Sequence, residues 1–194
     1  MDTTPPPARP ENPVKPFLRE IIEFALLTLL IVLPIRFYIA EPFIVSGASM
    51  VPTFESGDYL VIDQLTYRFR EPERGEVIVF KYPNNPSKYF IKRIIGLPGE
   101  TVSIDGGVIT IKNVEHPDGI VLEETYETLP LEAHSTYELE VGEYFVLGDN
   151  RPVSSDSRVW GALPREDIVG RPVIRLFPLS SIDTFPGLPT GEDA

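Results

Sequence analysis

Three short segments of this 194-residue chain carry side chains suited to chemistry. The first, residues 46–54, reads Ser-Gly-Ala-Ser-Met-Val-Pro-Thr-Phe, so Ser49 lies among small residues just before a proline-marked turn. A serine in this setting has an exposed hydroxyl and unhindered backbone N–H groups, which are the requirements for a nucleophile beside an oxyanion hole. A polar turn without a catalytic role is the alternative interpretation of this segment taken alone.

The second segment, residues 89–100, reads Tyr-Phe-Ile-Lys-Arg-Ile-Ile-Gly-Leu-Pro-Gly-Glu. Side chains alternate along a strand, so Lys92 lies on one apolar face and Arg93 on the other, and the pattern does not say which face is inward. Desolvation lowers the pKa of a lysine from about 10.4 towards neutrality, and a neutral amine can act as a general base. Because an arginine stays protonated, Lys92 is the candidate base. A lysine whose amine reaches out to water is the alternative.

The third segment, residues 148–158, reads Gly-Asp-Asn-Arg-Pro-Val-Ser-Ser-Asp-Ser-Arg and follows a predicted strand over 143–147. So many short polar side chains in a row are typical of a loop. An ion pair of Asp156 with Arg158 could brace this loop, and a serine hydroxyl in it could orient a buried amine.

Short strands must position these segments. Beyond Glu41 the chain consists of short apolar or alternating runs bounded by Gly, Pro, Asn or Asp, a pattern typical of strands and turns. Asp105-Gly106-Gly107 between two such runs predicts a hairpin. We find no internal repeat and no long helical period after residue 45, so the predicted fold is mostly β, with an antiparallel sheet. The predicted strands cover residues 59–62, 76–81, 89–95, 101–104, 108–111, 143–147 and 171–177.

The N-terminal part of the chain differs from this body. Residues 1–16 are proline-rich and polar and predict a flexible tail. Residues 17–40 contain the uncharged run 24–35 and reach roughly the length of a bilayer, which predicts an uncleaved transmembrane helix. Bulky residues after Arg36 disfavour a cleaved signal peptide. A buried helix of a soluble protein is the alternative.

The distribution of basic residues predicts how such an anchor is oriented. Arg9, Lys15 and Arg19 precede the apolar run, whereas Arg36 alone lies near its far end. The positive-inside rule then places the N-terminus in the cytoplasm and residues 41–194 on the other side of the membrane.

Composition excludes several classes of function. The chain has no cysteine, so it can form no disulfide, zinc–thiolate site or thiol nucleophile. Its formal charge of −12 argues against a nucleic-acid partner. Ten carboxylates and neither Lys nor Arg occur in residues 113–150, which predicts a solvated acidic face. The spacing of His116, His134 and these carboxylates does not match that of metal ligands. A Ser-His-Asp triad would need residues 113–150 to fold over a serine elsewhere in the chain.

In this order, behind an N-terminal anchor, the three segments resemble the type I signal peptidase family from about Glu41 to Phe177. The resemblance implies a membrane-anchored Ser-Lys endopeptidase that removes signal peptides from exported preproteins, in a plasma membrane or an internal membrane such as the thylakoid. It implies preproteins and the lipid bilayer as partners, and no cofactor, metal or nucleic acid. The domains implied are the tail 1–16, the anchor 17–40, a β-rich peptidase domain 41–180 with an acidic insertion around 113–143, and a C-terminal tail 181–194.

By position, the resemblance implies roles for individual residues. Ser49 matches the nucleophile and, through its N–H, one oxyanion donor, while Lys92 matches the general base. Ser154 matches the serine that hydrogen-bonds the lysine amine, and Asp156 with Arg158 matches the bracing pair. The apolar walls of the pockets for small substrate side chains match Phe43, Val45, Phe90 and Ile91.

Two departures from the family pattern concern the same site. Some members carry a serine as second oxyanion donor two residues before the nucleophile, whereas Gly47 has no hydroxyl, so a backbone group, a water or Ser46 would replace it. Pro152-Val153 stands where polar residues are common. The alternatives to a signal peptidase are a Ser-Lys peptidase of the SOS-repressor type and a membrane-tethered, non-catalytic β-rich binding module.

Overall fold

The structure is a computed structural model that describes residues 14–34, 40–124 and 134–188. The chain divides between residues 38 and 39 into two units. In the first unit, helix α1 spans Val14–Pro34. Within the described ranges, we find no helix of the length and apolar character needed to cross a bilayer. The anchor predicted over 17–40 is therefore not confirmed, and its residues 35–39 lie outside the described part, as does most of the predicted tail.

The second unit is built from antiparallel strands, which confirms the predicted mostly β fold. A single turn of helix, α2, spans Ser157–Trp160. The strands are β1 Ala40–Ile44, β2 Tyr59–Asp63, β3 Val77–Tyr82, β4 Asn85–Gly96, β5 Thr101–Asp105, β6 Val108–Lys112, β7 Ile120–Val121, β8 His134–Glu138, β9 Glu143–Leu147, β10 Leu163–Pro164, β11 Ile168–Phe177 and β12 Asp183–Thr184.

The strands form two sheets. The larger has the order β1-β2-β11-β3-β4-β9-β10, with β12 paired to β11, and the smaller has the order β7-β6-β5-β8. The predicted hairpin is confirmed: Asp105 pairs with Val108, and Gly106 and Gly107 between them take φ of 56° and 89°. Two consecutive positive φ angles are what a two-residue hairpin turn requires.

One hydrophobic core supports the segment that carries Ser49. Met50 and Phe54, which follow Ser49 in the chain, are 1% and 0% exposed and pack with Leu60 of β2 and Val79 of β3. Burial of such side chains contributes about 1.5–3 kcal/mol each. The segment after the serine is therefore held by the core and is not a free surface turn.

The C-terminal residues return to the sheet. Residues 183–188 belong to the predicted C-terminal tail 181–194. In the structure β12 pairs with β11, and the Phe185 N–H donates to Val173 O at 2.8 Å. The run is too short and too irregular to read as a strand from its sequence. β12 pairs with β11 at Ile174 and Arg175, beyond the residues of β11 that pair with β3.

Candidate active site

Ser49 lies in the loop that joins β1 to β2. The backbone N–H of Asn150 donates to the Ser49 carbonyl at 3.0 Å, and the Asn150 side-chain amide donates to Ala48 O at 3.1 Å. The Phe54 N–H closes a turn onto Met50 O at 2.9 Å. The serine is therefore held from two directions, by the core below it and by the loop after β9 beside it.

Lys92 of β4 lies directly against this serine. Its Nζ donates to Ser49 Oγ at 2.8 Å and to the carbonyl of Ile91 at 2.7 Å, and the residue is 4% exposed. Burial lowers the pKa of Lys92 from 10.5 to about 8, opposed by the negative charges of Asp156 and Asp149. The two residues singled out in the sequence, 43 positions apart, are thus brought into hydrogen-bond contact.

Both faces of β4 are buried at Lys92 and Arg93. The alternation of side chains along the strand could not show which of the two faces points inward. Arg93 is 1% exposed and holds Asp149 through Nε at 2.9 Å and Nη2 at 2.7 Å. Asp149 in turn accepts a hydrogen bond from Thr53 Oγ1 at 2.5 Å. The arginine therefore ties the loop after β9 to the loop of Ser49, while the adjacent lysine faces the serine hydroxyl.

The loop after β9 contains the predicted bracing pair. Arg158 donates to the two carboxylate oxygens of Asp156 at 2.6 and 2.8 Å, and Asp156 is fully buried. The same carboxylate accepts the Gly148 N–H at 3.1 Å. The ion pair expected from the sequence is present, and it fixes the start of the loop that touches Ser49.

Ser154 lies near the serine loop but does not make the predicted hydrogen bond to the lysine amine. Its Oγ is buried and has no hydrogen-bond partner among the residues that the structure describes. A Cβ on Gly148 would come within 2.3 Å of Ser154 Oγ and 2.5 Å of Ser49 O, so only glycine fits between them. The amine of Lys92 instead bonds the carbonyl of its own strand, at Ile91.

An apolar cavity of about 300 Å³ opens beside the serine–lysine pair. Strands β1 and β4, with three strands between them in the sheet, both line it, so the sheet curls around it. The rings of Phe43 and Tyr89 meet edge to face across the two strands, with centroids 5.2 Å apart. The cavity wall includes all four residues expected to form the substrate pockets, Phe43, Val45, Phe90 and Ile91.

The backbone explains the glycine at position 47. Gly47 takes a φ of +100°, which strains any residue with a side chain, although a Cβ there would meet nothing within 4 Å. Its N–H donates to Ser56 Oγ at 3.4 Å. A serine at position 47 would therefore have room but would not favour this backbone.

The sequence did not reveal Glu124 as part of the site's support. Its carboxylate accepts two hydrogen bonds from the Arg151 guanidinium, at 2.8 and 2.5 Å, and both side chains are at most 5% exposed. Arg151 Nε donates to Gly148 O at 3.0 Å. Glu124 is therefore not part of the predicted solvated acidic face. Its charge is neutralised by the buried guanidinium of Arg151, 27 positions away in the chain. Within a run of acids, no local signal distinguishes it from Glu123, which is exposed.

Arg175 of β11 is a second supporting residue that the sequence did not reveal. Its Nη1 donates to Thr53 O and to an Asp58 carboxylate oxygen, both at 3.0 Å, and its guanidinium lies 5.5 Å from the centroid of the Phe54 ring. These contacts join the loop after Ser49 to β11 at Thr53 and at Asp58.

Fold and site together define an antiparallel β protein with the arrangement of a serine–lysine hydrolase. Residues 18–177 match the family model described as signal peptidase, peptidase S26. The chain is 38% identical over 172 residues to a probable signal peptidase I-1 of Synechocystis sp., covering 84% of this chain and 85% of that protein. It is 38% identical over 190 residues to signal peptidase I of Leptolyngbya laminosa, with 92% and 90% covered. It is 36% identical over 158 residues to thylakoidal processing peptidase 1, chloroplastic, of Arabidopsis thaliana, with 76% and 45% covered. The chain belongs to the signal peptidase family, peptidase S26.

Proposed function

We propose that this protein is a serine endopeptidase that removes N-terminal signal peptides from exported preproteins at a membrane surface. The observation that carries the proposal is the 2.8 Å contact between Ser49 Oγ and the buried amine of Lys92. A nucleophilic hydroxyl needs an adjacent base that is neutral near the working pH, and burial supplies one here. The names of the similar proteins support the choice of substrate.

The reaction follows from this contact. Neutral Lys92 accepts the proton of Ser49 Oγ as the oxygen bonds to the scissile carbonyl carbon, and the backbone N–H of Ser49 donates to the developing oxyanion. Lys92 then gives this proton to the departing amine as the C–N bond breaks. Water adds to the resulting acyl-enzyme, and release of the acid restores Ser49. We assign no second oxyanion donor, because Gly47 carries no hydroxyl.

The cavity supports a preference for small side chains. Its volume of about 300 Å³ is at the lower limit of common ligand sites, and its walls are largely apolar. We assign Phe43, Val45, Phe90 and Ile91 to the walls that select the two recognised side chains before the scissile bond. We expect preproteins with Ala-x-Ala-like ends to be cleaved faster than those with bulky residues at these two positions.

The loop after β9 supplies the supporting residues. We assign Asp156 and Arg158 to hold the loop against the Ser49 segment, on the basis of their buried ion pair. We assign Ser154 to orient the lysine amine during the reaction, because its buried Oγ retains its capacity to hydrogen-bond beside the serine loop.

We assign residues 17–40 to a membrane anchor with the N-terminus in the cytoplasm and the peptidase body on the other side, in a plasma or thylakoid-type membrane. The support is the surface of α1, where residues 17–32 are exposed throughout and include Phe24 at 73% and Leu30 at 72%. Exposing large apolar side chains to water is unfavourable by roughly 25 cal/mol per Å², and a lipid environment removes this cost. Extraction of membranes at alkaline pH should leave the full chain in the membrane pellet and release a chain that begins at Ile39. Release of both would refute the anchor.

A cleavage assay tests the activity. Detergent-solubilised full chain is incubated with a preprotein that has an Ala-x-Ala-like signal peptide end, and the N-terminus of the product is determined. Ser49→Ala and Lys92→Ala should each abolish cleavage, whereas Lys88→Ala, at an exposed lysine on the same strand, should cleave like the parent. If Ser49→Ala or Lys92→Ala cleaves at the parental rate, the assignment of that residue is wrong.

A further inference from the structure

The residues after β12 form a C-terminal strap, which we define as residues 183–188. Its first two residues pair with β11, where Thr184 lies opposite Ile174 and Asp183 opposite Arg175. The chain then turns at Phe185, the one non-glycine residue with a positive φ among the described residues, at 53°. This turn takes the strap off the sheet edge and towards the buried arginine of β4.

The strap supplies a hydrogen-bond acceptor to that arginine. Nη1 of Arg93 donates to Gly187 O at 2.6 Å and to Gly75 O at 2.7 Å, while Nε and Nη2 hold Asp149. Arg93 is 1% exposed, so its guanidinium depends on acceptors that the protein supplies. A buried donor left without its acceptor costs about 1–3 kcal/mol, and more when it is charged.

The strap also packs directly on the Ser49 loop. Gly187 takes a φ of +82°, and a Cβ on it would lie 3.0 Å from the Phe54 ring and 3.2 Å from the Thr53 methyl group. It would also lie 3.0 Å from a methyl group of Val77 in β3. These distances from a Cβ are shorter than ordinary van der Waals contacts. The strap and the loop that carries Ser49 are therefore packed too closely to leave room for a side chain at Gly187.

These contacts connect the strap to the serine–lysine pair. Thr53 Oγ1 donates to Asp149, Asp149 pairs with Arg93, and the next residue, Asn150, donates its N–H to Ser49 O at 3.0 Å. We propose that the C-terminal strap is a positioning element of the active site, with Gly187 as its positioning residue, which sets Ser49 against Lys92. The proposal rests on the proposed function, because it assigns the strap a role in the same reaction.

The test compares two glycines with nearly the same positive φ and different surroundings. Gly187→Ala places a Cβ 3.0 Å from the Phe54 ring and 3.2 Å from the Thr53 methyl group, so the Ser49 loop or the strap must shift by a few tenths of an ångström, whereas Gly142→Ala has a φ of +83° and meets nothing within 4 Å. Both substitutions carry the backbone strain, so a difference between them reports this tight contact. In the preprotein assay we expect Gly187→Ala to lower kcat by about 10- to 100-fold, since small misplacements of catalytic groups have effects of this size. The KM should stay within about twofold, because the residues that a Cβ on Gly187 would meet, Phe54, Val77 and Thr53, do not line the cavity. We expect Gly142→Ala to retain the parental kcat.

A second variant and a second measurement distinguish the role of the strap from a folding defect and do not depend on the cleavage assay alone. A chain that ends at Phe185 removes the Gly187 carbonyl and places no new side chain against the Ser49 loop, and it should show the same selective loss of kcat. Hydrogen exchange of the Asn150 amide, which bonds Ser49 O, should become at least about tenfold faster in both strap variants and stay unchanged in Gly142→Ala. Parental kcat and parental exchange in the folded chain that ends at Phe185 would overturn the proposal. Parental cleavage that persists in Ser49→Ala would instead refute the proposed function, and the exchange rates would still decide the role of the strap.

Discussion

The pH dependence of cleavage tests the chemistry proposed for Lys92 most directly. Burial, with 4% of the residue exposed, is the largest cause that lowers its pKa, from 10.5 to about 8. At pH 7 about a tenth of the enzyme then carries the neutral amine, compared with about one molecule in three thousand at the ordinary pKa of a lysine. The fold therefore raises the fraction of competent base by about 300-fold at neutral pH.

We expect kcat/KM to fall about tenfold for each pH unit below 8 and to level off above about pH 9, because protonation of the free enzyme removes the base. The measurement is the initial rate of cleavage of a signal-peptide substrate in detergent between pH 5.5 and 9.5, with the melting temperature recorded at each pH. Equal values of kcat/KM at pH 6 and pH 8, in folded protein, would refute the assignment of Lys92 as general base.

A charge substitution in the loop after β9 checks the cause of this pKa. The negative charge of Asp156 raises the pKa of Lys92, so Asp156→Asn should move the midpoint of the pH profile to lower pH. The rate itself should fall as well, because Asp156 also binds Arg158 and the Gly148 N–H, and the midpoint is therefore the readout. Asp118→Asn, at an exposed carboxylate, is the control and should leave the midpoint unchanged. A midpoint that moves to higher pH in Asp156→Asn would contradict this electrostatic account.

Three further predictions concern stability, measured as the free energy of unfolding in urea. Lys92→Met should stabilise the protein at pH 7 by up to about 3 kcal/mol, because the folded state lowers the pKa of Lys92 from 10.5 to about 8. This gain in stability should shrink as the pH rises from about 8 to 10.5. In that range the unfolded state of the parent binds more protons than its folded state, so the parent becomes more stable with pH. Asp149→Asn should destabilise it by about 3–5 kcal/mol, since the buried Arg93 loses its carboxylate, and a loss below about 1 kcal/mol would contradict the importance of this pair. Glu124→Gln should cost about 2 kcal/mol through its buried bonds to an arginine, whereas Glu123→Gln should stay within about 0.5 kcal/mol; equal effects would show that the buried carboxylate has no special role.

The fold class and the local turns could be predicted from the sequence because they depend on neighbouring residues. Alternating apolar runs indicate strands, and Gly106-Gly107 indicates a two-residue turn through the φ angles it permits. The three segments around Ser49, Lys92 and Ser154 stood out for the same reason, because their residue types are unusual within short windows. Their order along the chain was specific enough to indicate the family.

The sequence could not show which distant groups meet. Ser49 and Lys92 contact each other because the curled sheet brings the loop after β1 against β4, and strand order is not written in local periodicity. The same holds for the burial of Arg93 beside Lys92, since each face of β4 packs against a different part of the chain.

Glu124 and Gly187 illustrate the difference most clearly. In the sequence one is an acid among acids and the other a glycine near the C-terminus, and neither position has a local signal. In the folded chain a buried guanidinium must find an acceptor, and these two residues supply acceptors to Arg151 and Arg93 respectively. The sequence alone determined seven of the twelve described strands, the turn at Gly106-Gly107 and the reactive side chains, because propensity and periodicity act locally. The tertiary structure decided which buried charges are paired and how the nucleophile is held, because a polar group loses its water only when the chain packs and must then find its partner wherever packing has placed one.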